Sequence, residues 1–269
     1  MRMMLAGFAA IGLLPLGLAL RANRGTSLAH AILWAIAAWV AWGVAFALGN
    51  IDEPGMDAGR YCALCLTGCA GVAVLGARRP HVLAWNFVVL GLFAVMVLPL
   101  AETLVLGTNP HEDWLRIVFL AATLTVGVLN YVPTRFAPAA VWLLAAGAAE
   151  IAFLYAPSWF AGFDRAACLH LLLPATPWVA SMCLWRREKR EAEFDRLWLS
   201  FRDRWGLFWS QRVRAQFNRA ARHAEWPVLL TWRGLVLEAG ERSVTPAEEV
   251  KIVETLRATL QRFVASDNK

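Results

Sequence analysis

Seven apolar stretches separated by short polar gaps fill the first 185 residues of the chain. They span residues 5–20, 28–49, 61–77, 81–101, 115–132, 137–156 and 166–185. Most approach the ~20 residues that cross a hydrocarbon core of ~30 Å as a helix. None shows the two-residue alternation of a barrel strand. The pattern predicts an all-α integral membrane protein, with a bundle of seven transmembrane helices over residues 1–185.

Basic residues between these stretches fall mainly into every second gap, and this predicts the orientation of the bundle. They are Arg21, Arg24, Arg78, Arg79 and Arg135, followed after the last stretch by Arg186, Arg187, Lys189 and Arg190. Because Lys and Arg are retained on the cytoplasmic side, we expect the amino terminus outside and the carboxyl terminus inside, in a cytoplasmic (inner) membrane.

The first stretch also fits a secretory signal peptide, since Arg2 precedes an apolar core followed by small residues. Its removal would leave six spans with both ends outside. The basic cluster that begins at Arg186 would then lie on the wrong face, so we favour the anchored, seven-span interpretation.

Composition and charge narrow the class further. Hydrophobic residues make up 59% and charged residues 17% of the chain, which excludes an ordinary soluble protein. Residues 186–222 hold 11 basic and 5 acidic groups, so most of the net charge of +6 follows the last span. Such a juxtamembrane segment is attracted to anionic lipid head groups, which we expect as a partner in place of nucleic acid.

The tail is predicted to be ordered, with a basic amphipathic juxtamembrane helix over 186–222 and a small cytoplasmic α(+β) domain over 223–269. Aromatic and aliphatic residues recur at spacings of three and four along the helix, which only Gly206 interrupts. They are Phe194, Trp198, Phe201, Trp205, Phe208, Trp209, Val213 and Phe217. A hairpin is predicted around Arg233 and Gly234, and a last helix begins with a capping box of Thr245 and Glu248. Its apolar side would hold Val250, Val253, Leu256, Leu260 and Phe263.

Two interpretations of the aromatic stripe remain open. Trp198, Trp205 and Trp209, together with the basic residues from Arg186 to Arg190, form a pattern typical of a helix on the membrane surface. The same tryptophans could instead form the core of the tail.

Ionisable groups inside the spans are the best candidates for a ligand site, because they are costly in lipid unless paired or wetted. Glu150 and His170 are expected at nearly the same depth in the outer third of the bundle, and Glu102 ends the fourth span on that face. Pro174 and Pro177 predict a kink in the seventh span beside His170. The alternative is a structural hydrogen-bonded pair between Glu150 and His170.

Cysteines and histidines offer less specific signals. Cys62, Cys65 and Cys69 share one face of the third span, and Cys168 lies at the depth of Cys62. A metal site with His170 or a Cys62–Cys168 disulfide is conceivable, although ordinary packing is favoured. His30 and His81 at the cytoplasmic ends of their spans could ligate a haem, but solvated interfacial histidines are more common.

Several functions lack their residues in this chain. All three lysines lie in the tail, so no retinal Schiff base can form within a span, and no nucleophile elbow, zincin or nucleotide-binding motif is present. We predict a membrane-anchored scaffold, assembly or interaction protein that acts through its cytoplasmic tail. The alternative is a small-molecule or ion carrier with a site at Glu150, His170 and Glu102, and a lipid-modifying enzyme ranks third.

Overall fold

The structure, a computed structural model, describes residues 2–49, 57–76, 82–106, 114–160, 166–185, 192–237, 244–261 and 263. Helices dominate this part of the chain, and the single sheet in it has two strands. The basic cluster Arg186, Arg187, Lys189 and Arg190 lies outside the described residues, as does His81.

In the described part of the chain, seven apolar helices precede the tail. Their bounds are α1 Arg2–Ala22, α2 Leu28–Leu48, α3 Ala58–Ala73, α4 Val82–Leu106, α5 Trp114–Leu129, α6 Ala137–Tyr155 and α7 Leu172–Trp185. Short 3-10 helices cover Val74–Gly76, Pro157–Phe160 and Ala166–Leu171. Five of the helices are long and apolar enough to cross a membrane by length and composition, and two shorter apolar helices cover Trp114–Leu129 and Leu169–Trp185. These apolar helices indicate that the protein is associated with a membrane.

Six of these helices pack in a ring. Helix α1 lies between α2 and α7, α3 joins α2 to α5, and α6 packs against both α5 and α7. Helix α4 lies at the periphery against α3 and touches α2 where Trp34 meets Phe93. The exposed apolar side chains, such as Leu18, Val44 and Phe87, are the surface that a bilayer would cover.

Small residues allow close helix contact inside the ring. A Cβ added at Gly71 of α3 would lie 2.8 Å from the Cα of Gly127 in α5, so the two backbones touch. Gly68 meets Thr123 in the same interface. Helices in a bilayer associate through such close contacts. Lipid tails are as apolar as leucine, so no hydrophobic driving force brings the helices together.

The tail contains helix α8 (Glu193–His223), strands β1 (Val228–Thr231) and β2 (Gly234–Leu237), and helix α9 (Pro246–Gln261). The predicted long helix is present, but it is broken at Gly206, where φ is +73° and ψ is −164°. The predicted hairpin is present as an antiparallel pair with Trp232 and Arg233 in its turn. The Asn218 side chain covers the edge of β1, with hydrogen bonds to both the amide and the carbonyl of Leu230.

Helix α9 starts as predicted. The Glu248 amide donates to Thr245 Oγ1 at 3.3 Å, and the Thr245 amide donates to Glu248 Oε2 at 2.9 Å, which completes the capping box. The predicted apolar side is partly wrong, since Val250 is exposed while Ile252 is buried. The face of α9 that packs inward is therefore turned away from Val250.

Candidate functional site

A carboxyl–imidazole pair lies in the interior of the helix ring. Glu150 on α6 and His170 in the 3-10 helix before α7 approach to 2.6 Å between Oε1 and Nδ1. Their exposed fractions are 1% and 0%. The structure thus brings together two residues that the sequence placed at one depth.

Aromatic rings form the described walls of this pair. The ring of Phe153, one turn along α6, lies 4.4 Å from the imidazole centroid, and that of Phe46 on α2 lies 6.1 Å away. Phe46 in turn stacks on Trp42, whose indole donates to Thr67 Oγ1. The pair is therefore enclosed on these sides by apolar surface, in which an unpaired charge is costly.

The helix type changes next to His170, where the sequence predicts a kink. The 3-10 helix Ala166–Leu171 becomes α-helix at Leu172, so Pro174 falls in the first turn of α7, where its missing amide is tolerated. The Trp142 indole donates to the carbonyl oxygen of Leu172 at 2.6 Å. The bond from α6 holds the junction next to His170.

Half of the hydrogen-bonding capacity of the pair is unused. Within the part of the chain that the structure describes, Glu150 Oε2 and His170 Nε2 are buried and have no hydrogen-bond partner. A buried polar atom left without a partner costs about 1–3 kcal/mol. Glu150 and His170 therefore satisfy each other only in part, with one polar atom of each side chain left without a partner.

Glu102 has a different partner from the Glu150–His170 pair with which the sequence analysis groups it. Its carboxylate pairs with Arg116 on α5, with Nη2 and Oε2 3.0 Å apart, and it is partly exposed. The Tyr61 hydroxyl donates nearby to the carbonyl of Met96 at 2.6 Å. Glu102 thus belongs to a contact between α4 and α5 and is not hydrogen-bonded to the buried pair.

The cysteine face of α3 points to α4. The thiol of Cys65 lies 4.0 Å from the Met96 carbonyl oxygen, and that of Cys69 lies 3.9 Å from the oxygen of Val89. Cys62 is a free thiol. The side chain of Cys168 lies outside the described atoms. His30 has a partner on α4, because its Nδ1 lies 3.1 Å from the side-chain nitrogen Nδ2 of Asn86.

A second constellation joins the tail to the bundle at Asn130, which follows α5 and is fully buried. Its side-chain oxygen accepts from the Phe208 amide at 3.1 Å, and its side-chain nitrogen donates to the Trp205 carbonyl at 3.4 Å. Its own carbonyl accepts from the Leu207 amide at 2.7 Å. Asn130 therefore replaces the helical hydrogen bonds lost at the Gly206 break.

The hydrogen bonds of Asn130 to α8 at the Gly206 break form a hook between the bundle and the tail. Residues 130–136 make further contacts around this hook. The Asp203 carboxylate accepts from the Arg202 guanidinium at 2.8 Å and lies 3.4 Å from the Nε of Arg135. The Trp232 indole in the hairpin turn donates to the Pro133 carbonyl at 2.5 Å. The loop between α5 and α6 is thus bonded to both α8 and the hairpin.

The aromatic stripe of α8 packs inside the protein. Trp198, Trp205 and Trp209 are at most 7% exposed, and the Trp209 indole donates to the Val74 carbonyl at the end of α3. The Phe263 ring inserts among the stripe, 4.9 to 5.4 Å from the rings of Phe201, Trp205 and Trp209. The contacts favour the core interpretation of these tryptophans over insertion among lipid head groups, although Phe208 is 46% exposed.

A cavity of about 500 Å³ opens where the tail meets the loop between α1 and α2. Its lining includes the aromatic rings of Phe201, Trp205 and Phe263, with Thr26 and Arg196 also contributing. Arg196 is exposed, and so is Glu193, which also lines the cavity. The cavity combines a largely apolar lining with one basic and one acidic residue, Arg196 and Glu193.

The described residues were compared with the requirements of a metal site, and the chain was compared with known proteins. Among the residues that the structure describes, no three His, Cys, Asp or Glu side chains are grouped as they would be around a metal ion. Comparison with protein families, curated proteins and solved structures finds no match to this chain.

Proposed function

We propose that this chain is a seven-span protein of the cytoplasmic membrane, with its amino terminus outside and its tail in the cytoplasm. The arginine pattern of the gaps supports this orientation. The packing of α1 between α2 and α7 supports an anchored first span, since α1 supplies buried Leu5 and Ala9 to the ring. Labelling of single cysteines at Arg24 and at Trp159 with an impermeant reagent tests it, and only the second should react in intact cells.

Within this arrangement, we propose that the protein is a membrane-anchored scaffold or interaction protein. The observation that carries the proposal is the hook of Asn130 on the Gly206 break. It fixes the tail to the bundle, so the outer surface of the tail is held at a defined orientation to the membrane. A flexibly tethered domain would not need a buried asparagine with three hydrogen bonds into the middle of a helix.

The outer face of the hairpin is the surface that we assign to a protein partner. Leu229 and Val236 are paired across the two strands, and they are 41% and 50% exposed. A photo-crosslinking residue at Val236 should yield an adduct of defined mass in cells, whereas the same residue at exposed Arg219 should not.

A charge substitution completes this experiment. The Leu229→Lys variant should abolish the adduct at Val236 while the protein stays folded, because its side chain points outward. Equal adducts from Val236 and Arg219, or adducts unaffected by the lysine, would contradict the assignment.

Anionic lipid head groups are the second partner that we propose, at the cytoplasmic face. The cavity beside Arg196 supports this together with the basic sequence from Arg186 to Arg190. The protein in nanodiscs with phosphatidylglycerol should retain more bound lipid after extraction than in phosphatidylcholine alone. The Arg196→Gln variant should reduce the difference, and the Arg219→Gln variant serves as a matched control.

A carrier of a small molecule or ion is the second candidate function, favoured by the unpartnered atoms of Glu150 and His170. Native mass spectrometry, metal analysis and a visible spectrum on protein in mild detergent test it. A ligand retained by the wild type and lost in Glu150→Gln and His170→Ala would support a carrier. Transport and retained mass that are unchanged in folded variants would exclude this site.

A further inference from the structure

We propose that the Glu150–His170 pair is an exchangeable proton-binding site inside the bundle. This inference rests on the carrier candidate, whose ligand at this site it names. The pair is in direct contact at 2.6 Å and is nearly inaccessible to solvent. Its ligand must therefore fit beside two buried side chains with aromatic neighbours.

Charge explains why a proton suits the site. When a neutral imidazole donates its one ring proton in a hydrogen bond to the carboxylate, the pair carries a net charge of −1. A second proton makes the pair neutral, either as carboxylate with imidazolium or as carboxylic acid with imidazole. The neutral state is favoured by the apolar surroundings, in which an uncompensated charge is costly.

The unpartnered atoms provide the places where a proton can enter and leave. Oε2 of Glu150 and Nε2 of His170 lie on the sides of the groups that do not face each other, because Oε1 and Nδ1 form the mutual bond. A proton delivered to Nε2 can be matched by the carboxylate through Nδ1 without movement of either backbone. Imidazole is suited to such exchange because its two nitrogens can be protonated separately.

The depth of the Glu150–His170 pair in the bundle favours proton exchange with the outer side of the membrane. Glu150 lies five residues before the end of α6 at Tyr155, which is about 7.5 Å at 1.5 Å per residue. His170 lies four residues after the start of its 3-10 helix. In the orientation that we propose, both ends face outward, so a proton needs to cross only a short layer of protein.

Other ionisable groups on the surrounding helices do not satisfy the pair. In the described chain they are Arg2, Arg21, His30, Arg60, Tyr61, Cys62, Cys65, Cys69, Arg116, Tyr155 and Cys183. Neither Glu150 nor His170 forms a hydrogen bond or ion pair with any of these. Arg60, the buried cation at the outer end of α3, lies 3.8 Å from Asp57. The pair thus has to balance its own charge.

Histidine nitrogen spectroscopy tests the proposal on the full-length protein in phosphatidylcholine nanodiscs. With 15N-labelled histidine, the His170→Gln variant identifies the His170 signals among those of five histidines. Across roughly pH 5 to 9, the 15N signals of His170 should change if the pair exchanges a proton with the medium, and the exposed side chain of His223 provides the reference signals. The Glu150→Gln variant should shift or remove this change while leaving the reference signals of His223 unaffected.

A sealed structural pair gives a different result. If the His170 signals stay constant over this pH range in folded protein, while the reference signals of His223 change, the proposal is overturned. Transport can fail independently, since a pair that titrates without any transported or retained ligand would support proton binding and refute the carrier function.

Discussion

Replacement of Gly206 by alanine should release the tail from the bundle. At φ +73° and ψ −164°, this residue has a backbone conformation that is almost restricted to glycine. An added Cβ would also lie 2.5 Å from the carbonyl oxygen of Asn130. The substitution can be accommodated only if the break straightens or Asn130 withdraws.

The free-energy cost of the Gly206→Ala substitution has two contributions, backbone strain and overpacking against Asn130. Backbone strain of this kind costs about 1–3 kcal/mol, and overpacking costs about 1–3 kcal/mol. Because withdrawal of Asn130 relieves part of both, we expect a loss of about 2–4 kcal/mol in docking free energy. At 1.4 kcal/mol per factor of ten, this is on the order of a 10²-fold change in the docking equilibrium.

Hydrogen exchange at single amides measures this change directly. The amides of Leu207 and Phe208 donate to Asn130, so their protection should fall by about the same factor, on the order of 10². Gly43→Ala is the matched control, because an added Cβ there meets no atom within 4 Å. Protection at these two amides within about threefold of wild type would refute the role of the hook.

Three further substitutions probe other parts of the fold. Thr245→Ala removes the capping box of α9 and should destabilise the tail by about 1 kcal/mol, seen as faster exchange in its first turn, whereas no change would show that the cap is dispensable. Phe263→Ala removes a ring from the aromatic core and should cost about 3–5 kcal/mol in thermal or denaturant unfolding, while a loss below about 1 kcal/mol would contradict its central position. Gly71→Leu should separate α3 from α5 and lower the melting temperature of the bundle in detergent, and an unchanged melting temperature would show that the backbones do not touch at Gly127.

Periodic features of the chain could be predicted from the sequence. Apolar runs and spacings of three and four are local properties, so the helices, the α8 stripe and the capping box of Thr245 all follow from residues close in sequence. The common depth of Glu150 and His170 could also be estimated, because each lies at a countable distance from a span end. Whether this pair binds a ligand stays a prediction.

Contacts between distant residues could not be predicted in the same way. Asn130 meets Trp205 across 75 positions of sequence, and an asparagine after a span is ordinary by itself. Gly206 was recognisable as an interruption, but its partner was not. The exposure of Val250 has a similar origin, since the angle at which α9 packs on α8 decides which of its apolar residues point inward.

The contact between Gly71 and Gly127 lies much closer to the carboxyl-terminal end of α5 than to its amino-terminal end. Asn130 lies three residues from this crossing and Arg116 lies eleven, about 4.5 and 16 Å along the helix axis. If α5 tilts about the point where the backbones touch, the region of Arg116 travels between three and four times as far as Asn130, in the opposite direction. A displacement of a few ångströms at the Trp114 end of α5 would thus reach the tail as a movement three to four times smaller, and a small push on the tail would be magnified at the Trp114 end.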